Sequence, residues 1–111
     1  MQKKVVAVPE VIEYLEKLVD ILYEKEYFSF KDTSVSYVVD LFEDIITNLS
    51  IRRSKTAPSY FQKYGEDLEY AAFPKNKRTT WYVFFEVYKD GKELIYLVRH
   101  IENNHTCAQY L

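Results

Sequence analysis

From Val11 onward, apolar side chains recur at three- and four-residue spacing, at Val11, Ile12, Leu15, Leu18, Val19 and Leu22. Glu13, Glu16, Lys17, Asp20 and Glu24 fill the opposite side, a pattern that predicts an amphipathic helix of roughly four turns. Pro9 suits its first turn, and Glu10 stands at the positive end of its dipole. The same period returns at Val35, Val38, Val39, Phe42, Ile45, Ile46 and Leu49, behind Asp32, Thr33 and Ser34, any of which suits a cap. The linker "EKEYFSF" is short, so the two helices are expected to be antiparallel neighbours whose stripes face one layer. Within it, Tyr27 to Phe30 read either as closure of the hairpin against the core or as an exposed interaction patch.

Elsewhere the period is two. "KKVVAV" is a short β-branched run ended by Pro9, and "LEYAAF", "TTWYVFFEVY" and "ELIYLVRHI" read as three strands. The last two are joined by "KDGK", whose Asp90-Gly91 pair is expected to supply the positive φ angles of a tight hairpin. The segment "SIRRSKTAPSYFQKYGED" has no period, contains Pro58 and Gly65, and reads as a long surface connection. The order is therefore βααβββ, an α+β fold: a helical hairpin packed on one face of a twisted, mainly antiparallel four-stranded sheet, the other face open to solvent or a partner. Trp81, Val83, Phe85 and Val87 share a face that looks like core, opposite Thr80, Tyr82, Phe84 and Glu86. In the last strand, strict alternation groups Arg99 with Ile95, Leu97 and Ile101, and His100 with Tyr96 and Val98; which group faces outward stays open.

Length and composition narrow the class. A chain of 111 residues, 48% hydrophobic and 29% charged with two glycines, is expected to form a single domain over 1–111 without a disordered tract. The amino terminus is too short in apolar residues for a signal core or a membrane span. Cys107 is the only cysteine, which excludes an internal disulfide and a thiolate cluster. An intracellular, cytoplasmic protein with no metal and no cofactor is the expectation. Charge is uneven: residues 1–50 carry five Lys/Arg against ten Asp/Glu, residues 51–111 ten against seven. An anionic partner would therefore meet the second half.

The cations that draw attention lie in "FPKNKRTTWYVFF", where Lys75, Lys77 and Arg78 enter the central strand. Arg99 from the neighbouring strand and His105 beyond its end are candidates to converge with them on one groove. Cations and a histidine suit a phosphodiester: metal-free RNA cleavage needs a base for the 2′-hydroxyl, an acid for the leaving oxygen and positive charge for the phosphorane. The chain has eleven tyrosines, and exposed ones stack on unpaired bases. The plainer alternatives are a solvated basic loop, a locally bonded histidine, and tyrosines serving strand packing.

The order βααβββ, the size and the ending "WYVFFEVYKDGKELIYLVRHIENNH" resemble the RelE/ParE superfamily of type II toxin-antitoxin systems. The resemblance covers nearly the whole chain as architecture and about the last forty positions as a residue pattern. It implies a toxin held inactive by a cognate antitoxin that wraps it with a helix or strand. RelE-like members are metal-independent ribonucleases that cut messenger RNA on the ribosome; ParE-like members inhibit DNA gyrase without chemistry. On the ribonuclease pattern, Lys75, Lys77, Arg78 and Arg99 would hold and polarise the phosphate, with His105 or Tyr110 as general acid or base. Tyr82 stands where such ribonucleases commonly carry an arginine, and would contact the RNA. Arg99 in "LVRHI" is closer to the ParE-like ending. A family member without toxicity, serving as an antitoxin-binding or structural partner, is the third expectation.

Overall fold

The computed structural model describes residues 2–25 and 30–111. The elements run β1 (Gln2–Ala7), α1 (Pro9–Glu24), α2 (Lys31–Asn48), β2 (Ser54–Thr56), β3 (Glu69–Pro74), β4 (Thr80–Asp90), β5 (Glu93–Asn103) and a single turn α3 (Asn104–Cys107). Short 3-10 turns cover Leu49–Ile51, Ser59–Tyr64 and Ala108–Tyr110. The α+β class and the helical hairpin agree with the sequence; Tyr27, Phe28 and Ser29 of the linker patch lie outside the described residues, and Phe30 is exposed.

The sheet corrects the expectation of four strands. It has five, in the order β1-β5-β4-β3-β2, with β1 parallel to β5 and every other pair antiparallel. The extra strand β2 lies inside the segment read as a connection. It is short and polar and pairs only with β3 at the sheet edge, so no hydrophobic alternation announces it.

Helix-side packing follows the amphipathic pattern. Val11, Leu15 and Leu18 of α1 and Val38, Leu41, Ile45 and Leu49 on and after α2 are buried against Ala71, Phe73, Trp81, Val83, Phe85, Val98 and Ile101 of the sheet. Trp81 is fixed there by Nε1 donating to the Tyr37 hydroxyl at 2.9 Å. The buried line of α2 is Ser34, Val38, Leu41 and Ile45, and Val35, Val39 and Ile46, each one residue further round the helix, remain exposed. None of Asp32, Thr33 and Ser34 caps α2: the cap position is Phe30, without a side-chain bond, and Ser34 is wholly buried one turn in.

The second sheet face is not open. Phe84 points there and is fully buried with Phe61, Leu68 and Cys107, flanked by Ala57, Tyr64, Tyr70 and Tyr82. The 3-10 turn Ser59–Tyr64 and α3 thus fold over this face, because their few apolar residues, each isolated in sequence, find one another only in space. In the hairpin, Asp90 pairs with Glu93, so the turn is Gly91-Lys92, and of the Asp90-Gly91 pair only Gly91 has positive φ, at 61°.

Strict alternation along β5 also fails. The β4–β5 register passes from Phe84 opposite His100 to Phe85 opposite Val98, leaving Arg99 as an extra residue, a β-bulge. Ile101 and Val98 consequently both reach the helix-side core, while His100 lies opposite Phe84 on the second face.

Candidate functional site

β1 makes its last contact when Val8 N donates to the Val98 carbonyl at 3.0 Å, and Pro9 then turns the chain into α1. β5 runs on from Arg99 to Asn103 without β1 beside it. A cleft of about 670 Å³ opens at this place, walled by Glu10, Val11 and Tyr14 on one side and Lys63 and Tyr64 on the other, with Arg99, His100, Ile101 and Glu102 as its floor.

His100 and Glu102 form its chemical centre. Two residues apart on a strand, they point the same way, and His100 Nε2 lies 2.7 Å from Glu102 Oε1, both side chains only 20% exposed. Burial lowers the His100 pKa from its ordinary 6.5, with the hydrogen bond and charge of Glu102 opposing, so the imidazole is neutral at pH 7. An ionised carboxylate only accepts, so the proton sits on Nε2 and the lone pair on Nδ1, the arrangement of an oriented base. The other oxygen of Glu102 accepts from Thr106 Oγ1 at 3.1 Å. The His100 ring is stacked on Tyr64, with centroids 3.6 Å apart and planes at 6°, and Phe84 lies behind it at 5.6 Å.

Cations flank this pair. Lys63 Nζ sits 4.0 Å from the Tyr60 ring centroid and 5.4 Å from that of Tyr64. Hydrogen bonding to Tyr60 raises its pKa above the ordinary value and keeps it charged. Burial raises the Tyr64 phenol, with Lys63 opposing, and burial likewise raises Tyr14. Both therefore hold their protons at neutral pH. Arg99 Nη2 meets Glu86 Oε1 at 3.2 Å, while its Nε is buried with no hydrogen-bond partner among the described residues.

The residues singled out in the sequence fall into four places. Arg99 lies in the cleft. Lys75, Lys77 and Arg78 occupy the turn before β4, which is closed by the Asn76 side chain accepting from the N–H groups of Arg78 and Thr79, both at 2.9 Å. Lys75 leans to the helix side, 5.1 Å above the Tyr37 ring, whereas Lys77 and Arg78 are exposed. His105 joins this turn and does not line the cleft: its Nε2 is 3.3 Å from Thr79 Oγ1, and its neighbour Asn104 ties the turn down by accepting from Thr80 N and donating to the Arg78 carbonyl. Tyr82 is half-buried in the second core, edge-on to Tyr70 at 6.0 Å, and burial raises its pKa. Tyr110 lies parallel to Tyr60, 3.6 Å away.

His100, Glu102, Lys63 and Tyr64 were not singled out. The i, i+2 spacing of "HIE" was a usable signal for the first two; Lys63 and Tyr64 sit in an aperiodic segment that gave none. Among the described residues, no group of three or more His, Cys, Asp or Glu side chains is placed to hold a metal ion, and no helix is long and apolar enough to cross a membrane.

A second concavity, apolar and about 430 Å³, runs along the outer side of the hairpin between Ile12, Leu15 and Val19 of α1 and Val38, Val39 and Phe42 of α2, with Glu16 and Glu43 at its rim. Compared with protein-family models, with curated proteins and with solved structures, the chain matches none of them.

Proposed function

We propose that this chain is the toxin component of a type II toxin-antitoxin module, a RelE/ParE-like cytoplasmic protein that cleaves messenger RNA without a metal. The observation that carries the reading is the His100–Glu102 pair, a neutral oriented base in a cleft that also holds Lys63 and Arg99. His100 takes the proton of the ribose 2′-hydroxyl, and the 2′-oxygen attacks phosphorus. Lys63 and Arg99 balance the charge that builds on the phosphorane. The P–O5′ bond breaks, Tyr64 gives its proton to the departing 5′-oxygen, and the products carry a 2′,3′-cyclic phosphate and a 5′-hydroxyl. The basic turn Lys75–Arg78, with His105, is a second contact for the RNA backbone, away from the reacting bond.

The test is incubation of the purified protein with single-stranded RNA in chelator, followed by analysis of the ends. Cyclic phosphate ends, reduced about a hundredfold or more by His100→Gln, are expected. RNA left intact both free in chelator and as messenger on programmed ribosomes would refute the reading. The apolar groove between α1 and α2 favours a second one, in which that surface receives a helix: the antitoxin's in the toxin reading, or a protein target such as DNA gyrase in a non-enzymatic one. Growth arrest with altered plasmid supercoiling and intact messages would select it.

A further inference from the structure

A stack of side chains leads away from the cleft, and the described catalytic roles do not use its outer end. Tyr60 and Tyr110 lie parallel, with centroids 3.6 Å apart and planes at 3°, although their residues are 40% and 37% exposed. Each is fixed by a fully buried neighbour in the second core: Phe61 follows Tyr60 and packs on Phe84, and Cys107 roots the final turn that carries Tyr110. Lys63 Nζ stands 4.0 Å from the Tyr60 centroid. An ammonium and a phenol ring cannot share one side of Tyr60 at those distances, so Tyr110 and Lys63 take opposite sides. The order is Tyr110, Tyr60, Lys63, Tyr64, His100, and the outer side of Tyr110 meets no other ring among the described residues.

From this geometry we propose that the outer face of Tyr110 is a subsite for one unpaired nucleobase of single-stranded RNA, a few nucleotides from the phosphate held in the cleft; the inference rests on the ribonuclease reading. A ring already held flat and half in water gives a base a large π surface without ordering a mobile side chain on binding. Lys63, lodged between Tyr60 and Tyr64, sets the charge that meets the cleft phosphate directly beside the stack, so the strand passes from that phosphate to the ring. Every base has a π face, so the subsite selects an unpaired, stackable base and tolerates any sequence. Tyr110 acts here through its ring, and Tyr110→Phe preserves it.

The experiment uses the full chain and a short single-stranded RNA, 2′-O-methylated throughout so that no 2′-hydroxyl can attack, with 2-aminopurine placed at each position in turn. Wild type and Tyr110→Phe should bind alike and quench the fluorophore at one position. Tyr110→Ala, confirmed as folded by circular dichroism, should bind at least about fivefold more weakly and lose that quench. Equal binding and quench in Tyr110→Ala would overturn the subsite while leaving the ribonuclease reading standing. No binding by wild type, either to the free RNA or to the same RNA held on a programmed ribosome, would overturn both.

Discussion

Phe84→Ala tests whether the second sheet face is a true core. Phe84 is fully buried, lies 4.3 Å from the Phe61 ring at 25°, and also meets Tyr70 at 5.6 Å and His100 at 5.6 Å. Removing a buried phenylalanine costs about 3–5 kcal/mol, including the cavity left behind. Because its neighbours Phe61 and Leu68 are anchored in non-regular segments, the site can partly collapse, and a loss of about 3–4 kcal/mol is expected within that range. Against a total of roughly 5–15 kcal/mol for a domain, that is a large fraction. Urea unfolding followed by Trp81 fluorescence reads it independently, since Trp81 lies in the other core. The midpoint should fall with an unchanged slope, and Phe84→Leu should lose less. A loss below about 1 kcal/mol would refute the picture, because a face covered only loosely would barely register the missing ring.

Other outcomes follow from single residues. Cys107, fully buried and with its thiol pushed up to about 12 by burial first and Glu102 second, should resist thiol reagents at pH 8 in the native state and react promptly in urea; prompt native labelling would contradict its place in the core. Since the folded His100 pKa lies below its unfolded value of 6.5, the unfolded chain binds the extra proton. Its contribution is present above pH 6.5 and is lost as pH falls through the folded pKa, by at most about 1.4 kcal/mol per pH unit. His100→Gln should flatten that part of the stability profile between pH 7.5 and 5.5, and an unchanged difference would remove His100 from it. Tyr37→Phe strands the Trp81 indole N–H and should cost about 1–3 kcal/mol by urea titration, a neutral result arguing against the bond.

The helices and long strands were legible because each is long enough for its period to stand out, though of the second helical stripe Val38, Ile45 and Leu49 are buried while Val35, Val39 and Ile46 are exposed. Leu41, among the most buried residues of the hairpin, escaped the stripe as first drawn. β2 was illegible because its exposed "SKT" buries no side chain, pairing with β3 through backbone and one bond from Ser54 Oγ to Glu69 Oε1. The second core is assembled from residues as distant as Phe61, Phe84 and Cys107, which no local window unites. The candidate site shared that difficulty. Arg99 was marked for its charge, but the bulge that re-aims its neighbours comes from the pairing of two strands, and His105 was drawn to Thr79 by a cap at Asn103.

The extra residue in β5 has an engineering consequence. It divides one continuous strand into two phases, Glu93–Val98 registered to the helix layer and His100–Asn103 registered to the cleft. Deleting Arg99 would not simply shorten the strand: it would set the two phases at odds and force either Ile101 out of the core or Val98 away from it. The cleft half can thus be redesigned by substitution at His100 and Glu102 while Ile95 and Val98 hold the scaffold, but insertions and deletions between them act as a rotation of the cleft-facing side chains, not a change in the strand's length.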